Sequence, residues 1–236
     1  MSKTLPVQVL RWYPQADRAT LHQAALTSIL AAATSAIAER GRVLLVLAGG
    51  ETPRSVYHLL STATANWAAW HIYFGDERCL PADNAGRNSR MAGEAWLDQV
   101  PIPASQIHPI PAELGARAGA AAYSATLKRV KDFDLVLLGL GEDGHTASLF
   151  PGQGRAPAAE EAVALAVFNA PQPPAQRVSL SAARLSRTRH ALFLIDGRGK
   201  RQAMAAWRAG KDIPASLIAP PGGVDVLVLA ALFPDA

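Results

Sequence analysis

The chain has 236 residues, of which 50% are hydrophobic and 18% charged, so it is long and apolar enough to bury a core. This composition excludes a largely disordered chain and a collagen-like or low-complexity one. The net charge of +4 suits an anionic partner, but the 23 basic residues are scattered, so no nucleic-acid-binding stripe is predicted. Cys79 is the one cysteine, which excludes an internal disulfide and a multi-thiolate zinc site and is typical of a reducing compartment.

No membrane partner is expected from the apolar segments. Residues 1–22 lack the apolar core of a signal peptide, and the apolar runs Val43–Ala48 and Val226–Phe233 are far shorter than a membrane span. We therefore expect a soluble cytoplasmic protein.

Short β-branched or leucine-rich runs alternate with longer segments of helical period. This alternation is typical of an α/β fold, with an open, mostly parallel sheet and helices on both faces. The predicted strands are Val7–Leu10, Val43–Ala48, His71–Phe74, Leu135–Leu138, Ala162–Val167, Ala191–Ile195 and Val224–Leu229. The predicted helices are Asp17–Arg40, Pro53–Leu60, Ser89–Val100, Glu113–Lys131 and Gly199–Ala209.

Glycine and proline mark the ends of these elements. Gly41 ends the first predicted helix as a C-cap, and Pro53 suits the first turn of the second. The stretches Pro151–Pro157 and Pro171–Pro174 are predicted surface loops, the second forming a small excursion from the sheet. Because no repeat or long linker is found, residues 1–236 are predicted to form one domain.

Ligands of open α/β sheets bind at the carboxyl ends of the strands, so the loop after each predicted strand is a candidate site. The loop after Val43–Ala48 reads Gly49-Gly50-Glu51-Thr52-Pro53 and leads directly into a helix. Glycine lets a backbone approach a ligand, and the N–H groups of a helix N-terminus favour an anion such as phosphate. The alternative is a tight strand-to-helix turn without a ligand, and the P-loop pattern is absent.

The loop after the next predicted strand is charged and reads Gly75-Asp76-Glu77-Arg78-Cys79. Charged side chains at the end of a buried strand need partners, since their desolvation is costly. Asp76 and Arg78 are therefore candidate site residues. In the alternative, they pair with each other or cap the helix that follows. Cys79 is interpreted as a packing residue and not as a nucleophile.

The loop after Leu135–Leu138 reads G-L-G-E-D-G-H-T-A-S-L-F-P and ends at Pro151. Its glycines match G-x-G-x-x-G, but Pro151 truncates any helix within two turns, so no dinucleotide site is predicted. His145, two residues after Asp143 in a glycine-rich turn, suits proton transfer, with Asp143 orienting the ring or stabilising its charge. The other five histidines are interpreted as surface or structural residues.

At these loops the sequence closely resembles the 6-phosphogluconolactonases, the lactone hydrolases of the oxidative pentose phosphate pathway. The matching stretches, in the family's order, are Ala48–Pro53, Gly75–Pro81, Arg87–Ser89, Gly139–Pro151 and, more weakly, Arg177–Ser181 and Asp196–Lys200. The resemblance spans most of the chain and implies a Rossmann-like fold shared with glucosamine-6-phosphate deaminase and ribose-5-phosphate isomerase. Glu51 and Arg87 depart from the residues usual in the family. Because the Glu51 side chain is unsuited to a phosphate contact, the backbone N–H groups of its loop are the expected contact.

The resemblance implies hydrolysis of 6-phospho-D-glucono-1,5-lactone to 6-phosphogluconate. A lactone is an ester, so a general base and an oxyanion donor are the minimum equipment, and no metal, cofactor or covalent intermediate is required. Without a G-x-S-x-G elbow, Ser148 and Ser179 are not predicted nucleophiles. The predicted catalytic residues are His145 as the base, with Asp143, Asp76 and Arg78. The predicted substrate-binding residues are Gly49, Gly50, Glu51, Thr52, Asn88, Gly141, Arg177 and Lys200.

Two other functions are considered. Glucosamine-6-phosphate deaminases resemble the chain in the Gly-Gly loop and the Asp-Gly-His turn, but have Asp-Glu-Tyr where Arg78 stands and Phe-Asn-Glu-Pro in place of Ser148–Pro151. A non-catalytic sugar-phosphate sensor is disfavoured because no helix-turn-helix signal is found. The expected partner is a small sugar-phosphate lactone, without nucleic acid, and the expected state is a monomer or small homo-oligomer.

Overall fold

The computed structural model describes residues 8–152 and 162–233. Its strands are β1 Leu10–Gln15, β2 Val43–Leu47, β3 Trp70–Phe74, β4 Asp76–Arg78, β5 Ile107–His108, β6 Phe133–Gly139, β7 Ala164–Val167, β8 Arg177–Leu180, β9 Thr188–Ile195 and β10 Val224–Leu229. Its helices are α1 Arg18–Arg40, α2 Glu51–Leu60, α3 Asn88–Ala95, α4 Ala116–Leu127, α5 Ala182–Ser186 and α6 Arg201–Arg208.

Seven strands form the main sheet in the order β1-β10-β9-β6-β2-β3-β5, and all of their pairings are parallel. The predicted α/β fold is therefore confirmed. From β2 the chain moves outward through β3 to β5, whereas from β6 it moves the other way through β9 and β10. The direction reverses between β2 and β6, and in open α/β sheets this is the point at which a crevice for a ligand opens.

Helix α1 shows how local sequence sets the boundaries. Asp17 caps its start, because Asp17 Oδ1 accepts a hydrogen bond from Thr20 N (2.8 Å) and Thr20 Oγ1 accepts one from Asp17 N (3.1 Å). Gly41 ends it in the left-handed conformation at φ 73°. By length and composition α1 could cross a membrane, but it packs as a core helix against α2, β2, β6 and β10. Its buried stripe consists of Leu21, Ala25, Ile29, Ala33 and Ala36.

A second sheet, antiparallel and in the order β4-β8-β7, lies outside the main one. The prediction that Ala162–Val167 belongs to the parallel sheet is therefore wrong, since Ala164–Val167 pairs antiparallel with β8. Two of the three strands, β4 and β8, were not predicted as strands. Helix α4 packs on β7 and β8, and residues 171–174 form an exposed connection between these two strands, as predicted.

Several element boundaries differ from those predicted. Strand β1 begins at Leu10, where the predicted strand ends, while Val7 lies outside the described residues. Strand β1 tolerates Pro14 because it is an edge strand and leaves one side unpaired. The predicted helix Glu113–Lys131 is shorter, because Gly115 at φ 84° separates a 3₁₀ turn from α4. Of the predicted loop 151–157, residues 153–157 also lie outside the described residues.

Candidate active site

A cavity of about 370 Å³ opens at the carboxyl ends of β2 and β6, where the strand order reverses. Eleven of the twelve predicted site residues line it, and the exception is Asp143. The five other histidines do not line it. The predicted residues in its wall are Gly49, Gly50, Glu51, Thr52, Asp76, Arg78, Asn88, Gly141, His145, Arg177 and Lys200.

The loop after β2 is held tightly against the core. The buried Tyr57 donates its hydroxyl to the carbonyl of Ala48 (2.8 Å), and the N–H of Ala48 donates to the same Tyr57 oxygen (3.0 Å). Gly50 has φ 108°, a conformation that favours glycine, and directly precedes α2. The first N–H groups of α2 thus lie at the cavity without intrahelical acceptors. The Glu51 side chain is 81% exposed and faces Arg54 at 3.6 Å.

His145 and Asp143 form a close pair. The Nδ1–H of His145 donates to Asp143 Oδ1 at 2.6 Å, and the backbone N–H of His145 donates to the same oxygen at 3.0 Å. Burial raises the pKa of Asp143, but the hydrogen bonds from His145 outweigh it and lower this pKa below its usual range. The ring lies directly on Gly141, where a Cβ would be 2.0 Å from Nδ1. With Nδ1 engaged, Nε2 is the ring nitrogen left to act as an acceptor.

Asp76 is a buried carboxylate in the wall of the cavity. Its Oδ1 accepts a hydrogen bond from Asn88 Nδ2 (3.0 Å), and its Oδ2 accepts one from the Ser148 hydroxyl (2.6 Å). Burial raises the pKa of Asp76, although the Ser148 bond opposes this shift. Asn88 in turn lies against Gly49, where a Cβ would be 2.1 Å from Asn88 Oδ1. One network therefore joins the loops after β2, β3 and β6.

The helix cap near Ser89 is made by Glu77, a residue that the sequence analysis did not single out. Glu77 is fully buried, and its carboxylate accepts hydrogen bonds from the backbone N–H groups of Asn88 (2.7 Å) and Ser89 (2.8 Å) at the start of α3. It also faces the buried Arg87 at 3.4 Å. The alternative in which Asp76 or Arg78 caps this helix is therefore wrong.

Among the residues that the structure describes, three cations line the cavity. Arg78 on β4 and Arg177 on β8 are directly paired across the small sheet, so both side chains reach the same wall. Arg177 donates from Nη2 to the carbonyl of Gln172 (2.9 Å), and burial lowers its pKa. Arg78 donates from Nη1 to the carbonyl of Gly86 (2.6 Å). Lys200 lies in the short turn before α6.

Cys79 does not line the cavity, in line with its interpretation as a packing residue. It is partly buried, and burial raises the pKa of its thiol. Within residues 8–152 and 162–233, no three His, Cys, Asp or Glu side chains converge as they would around a metal ion.

Sequence reasoning missed further residues in the cavity wall. Ala147 has φ 48°, a strained value for a residue other than glycine, and it places Ser148 beside Asp76. Asp196 directly follows β9 and pairs through Oδ2 with Arg18 Nε at 2.7 Å. Ligands of open α/β sheets bind at the carboxyl ends of the strands, and Asp196 lies at the carboxyl end of β9, so the reasoning that singled out the other loops also applies to it. Glu142 and Gln172 are two further polar residues in the wall.

These features define an α/β protein whose switch-point cavity suits a small anionic ligand. The cavity combines a helix N-terminus, three cations and a histidine oriented by a carboxylate. Residues 16–227 match the model of a family described as glucosamine-6-phosphate isomerases/6-phosphogluconolactonase. The chain therefore belongs to this family.

Individual relatives and solved structures show which kinds of enzyme in this family the chain is similar to. A 6-phosphogluconolactonase of Synechocystis sp. is 37% identical over 226 residues, which covers 89% of this chain and 92% of that protein. The crystal structure of a 6-phosphogluconolactonase from Thermotoga maritima superposes with a TM-score of 0.86 at 25% identity, covering 93% of this chain and 99% of that one. A monomeric glucosamine-6-phosphate deaminase shares the fold alone, with a TM-score of 0.81 at 19% identity over 94% of this chain and 98% of its own.

Proposed function

We propose that the protein hydrolyses 6-phospho-D-glucono-1,5-lactone to 6-phosphogluconate, a reaction of the oxidative pentose phosphate pathway. The names of the relatives support this reaction. The observation that carries it is the His145–Asp143 pair in the wall of a cation-lined cavity, because it engages Nδ1 and leaves Nε2 without a partner among the described residues. Ester hydrolysis needs such a base to activate water.

In the proposed mechanism, Nε2 of His145 takes a proton from water as the oxygen attacks the lactone carbonyl. The Asp143 carboxylate keeps the proton of the neutral ring on Nδ1 and stabilises the imidazolium that forms. Breakdown of the tetrahedral intermediate releases the ring oxygen, to which the imidazolium returns the proton. A general base of this kind contributes roughly 10²- to 10⁴-fold in rate.

The negative charge on the carbonyl oxygen needs a donor, and we assign this role to Arg78. Arg78 lines the cavity and is held there by the hydrogen bond from its Nη1 to the carbonyl of Gly86 (2.6 Å). A cationic donor fixed in this way can stabilise a developing oxyanion at little cost in reorganisation. Asp76, whose two oxygens already accept hydrogen bonds, serves as the fixed anion beside it.

We place the 6-phosphate on the N-terminus of α2. The backbone N–H groups of Gly50, Glu51 and Thr52 provide donors there, and Arg177 and Lys200 provide charge. The exposed Glu51 side chain faces Arg54 and leaves only its backbone for this contact.

Deamination of glucosamine-6-phosphate is the weaker candidate. The deaminases have Phe-Asn-Glu-Pro where this chain has Ser148–Pro151, so their glutamate corresponds to Phe150. Phe150 is buried and packs against the ring of His145, with their centroids 4.8 Å apart. This position therefore offers no carboxylate for deaminase chemistry.

An assay of lactone hydrolysis at fixed pH, with the spontaneous rate subtracted and a chelator present, tests the proposal. His145→Ala should lower kcat by about 10²- to 10⁴-fold, whereas His58→Ala, an exposed histidine on α2, should leave it unchanged. Lys200→Ala should weaken binding of the phosphorylated lactone far more than that of gluconolactone. No acceleration by the wild type, or release of ammonia from glucosamine-6-phosphate, would overturn the assignment.

We also propose that residues 1–236 act as one cytoplasmic domain. The span of the family match, residues 16–227, and the presence of a single cysteine support this.

A further inference from the structure

Phe150 is a buried aromatic residue behind the cavity wall that the proposed mechanism does not use. It does not line the cavity, and it is 2% exposed. Its ring contacts the ring of His145, with the centroids 4.8 Å apart and the planes at 48°. Phe150 therefore touches the proposed base from within the protein, out of the reach of a ligand in the cavity.

The small sheet β4-β8-β7 holds Phe150 in place. Phe150 packs with Val167 and Ala170 in an apolar cluster that is separate from the main core. Val167 is the last residue of β7 and pairs with Arg177 on β8. The N–H of Ala170 donates to the carbonyl of Ala175 (3.0 Å) in the connection between these two strands. The ring is thus fixed by residues that lie outside the main sheet.

The same loop is bound to the other two strands of the small sheet through Ser148. Its hydroxyl donates to Asp76 Oδ2 on β4 (2.6 Å), and its backbone N–H donates to the hydroxyl oxygen of Ser179 on β8 (3.2 Å). Ser148 and Phe150 together attach the loop that carries His145 to all three strands. The small sheet is therefore the support of this loop.

The His145 ring needs such a support because one hydrogen bond does not fix a plane. The bond from Nδ1–H to Asp143 Oδ1 selects the tautomer, but the ring can still rotate about the line between these two atoms. Gly141, on which the ring lies, has no side chain to restrict this rotation. We propose that Phe150 is a positioning residue, which holds the plane of the His145 ring so that Nε2 faces the cavity. This inference rests on the proposed function.

Phe150 also lies near Arg177, but this contact is the weaker of the two. The guanidinium carbon is 5.9 Å from the centroid of the Phe150 ring, at the outer limit of a cation–π contact. Arg177 Nε and Nη2 donate to the carbonyls of Pro174 (3.3 Å) and Gln172 (2.9 Å), so its position does not depend on the ring. Loss of the ring should therefore affect the base, and thus kcat, more than phosphate binding, and thus KM.

The test is Phe150→Leu, which removes the ring and keeps an apolar side chain. Because Phe150 belongs to the small cluster and not to the main core, the variant should keep the fold. A contact between two aromatic rings corresponds to about two- to twelvefold, and a catalytic group displaced by about 1 Å can lose about a hundredfold in rate. We expect kcat for the phosphorylated lactone to fall about tenfold and KM to change less than about threefold.

Phe133→Leu is the matched control. Phe133 is also buried, and its ring contacts the ring of Tyr73 (5.3 Å) and the guanidinium of Arg184 (3.8 Å), but it lies at the start of β6, away from the cavity. This variant should lower thermal stability without changing kcat. If Phe150→Leu leaves kcat unchanged, raises KM more than it lowers kcat, or loses no more kcat than Phe133→Leu, Phe150 does not position the base.

NMR of the histidine rings gives a second readout that does not depend on turnover. With isotope-labelled histidine, and His145→Ala to assign the signals, the wild type and Phe133→Leu should show the Nδ1–H tautomer of His145 alone. Phe150→Leu should show a mixture of both tautomers, because a loosely held ring leaves Asp143. Unchanged His145 signals in Phe150→Leu would overturn the proposal. If the wild type shows no hydrolysis but the signals respond as expected, the proposed function fails and the positioning of His145 stands.

Discussion

Replacement of Asp143 by Asn tests the part of the mechanism that the geometry defines best. The variant keeps a neutral acceptor for the His145 N–H (3.0 Å) and for Nδ1–H (2.6 Å), but removes the negative charge beside the imidazolium that forms in the reaction. A hydrogen bond to a charged group contributes about 1.5–3 kcal/mol. The two side chains are 24% and 41% exposed, so water screens part of this interaction. We therefore expect a loss of about 2 kcal/mol, or roughly thirtyfold in kcat.

Steady-state kinetics on the phosphorylated lactone would measure this effect. KM should change little, because Asp143 does not line the cavity. Asp132→Asn is a suitable control, since Asp132 forms an exposed ion pair with Arg187 at the amino end of β6. The double variant with His145→Ala should be no slower than His145→Ala alone, because Asp143 acts through the ring. A kcat within threefold of wild type would refute the assigned role.

Two further substitutions test the frame of the site. Glu77→Ala leaves the buried Arg87 and the first N–H groups of α3 without their carboxylate. The free energy of unfolding should fall by about 3–5 kcal/mol, which corresponds to a decrease of roughly 6–20 °C in Tm measured by calorimetry. Glu113→Ala is the control, because Glu113 is the exposed partner of Arg87 and its loss should cost much less. A loss in Glu77→Ala as small as that in Glu113→Ala would contradict the assigned role. Ser148→Ala removes the donor that stabilises ionised Asp76. At pH values above the raised pKa of Asp76, Ser148→Ala should lower the free energy of unfolding in urea by about 1.5–3 kcal/mol. This loss should shrink as the pH falls through that pKa, because the carboxyl is then protonated. A loss that is independent of pH would argue against an ionised Asp76.

The sequence predicted local structure well where a single residue type determines it. The Asp17 and Gly41 caps set the ends of α1, and the alternation of apolar runs with helical segments indicated the parallel sheet. The strand-end rule then singled out loops that the fold brings together at one cavity. It succeeded because all parallel strands end at the same edge of the sheet.

The role of each charged residue in β4 could not be predicted. Asp76, Glu77 and Arg78 are consecutive in the sequence, and successive side chains of a strand point to opposite faces. Asp76 and Arg78 therefore reach the cavity, while Glu77 turns inward and caps α3. A three-residue strand that pairs only with a distant segment gives no periodic signal of its own.

By itself, the sequence determined the fold class, the order of the main elements and the loops that carry the candidate chemistry, because caps, glycines and hydrophobic period act over a few residues. Only the tertiary structure decided which side chains meet. The pairing of β4 with β8 places Arg78 beside Arg177, and the end of β9 brings Asp196 into the same wall. Such contacts join residues far apart in the chain, so they depend on the register and packing of the whole sheet.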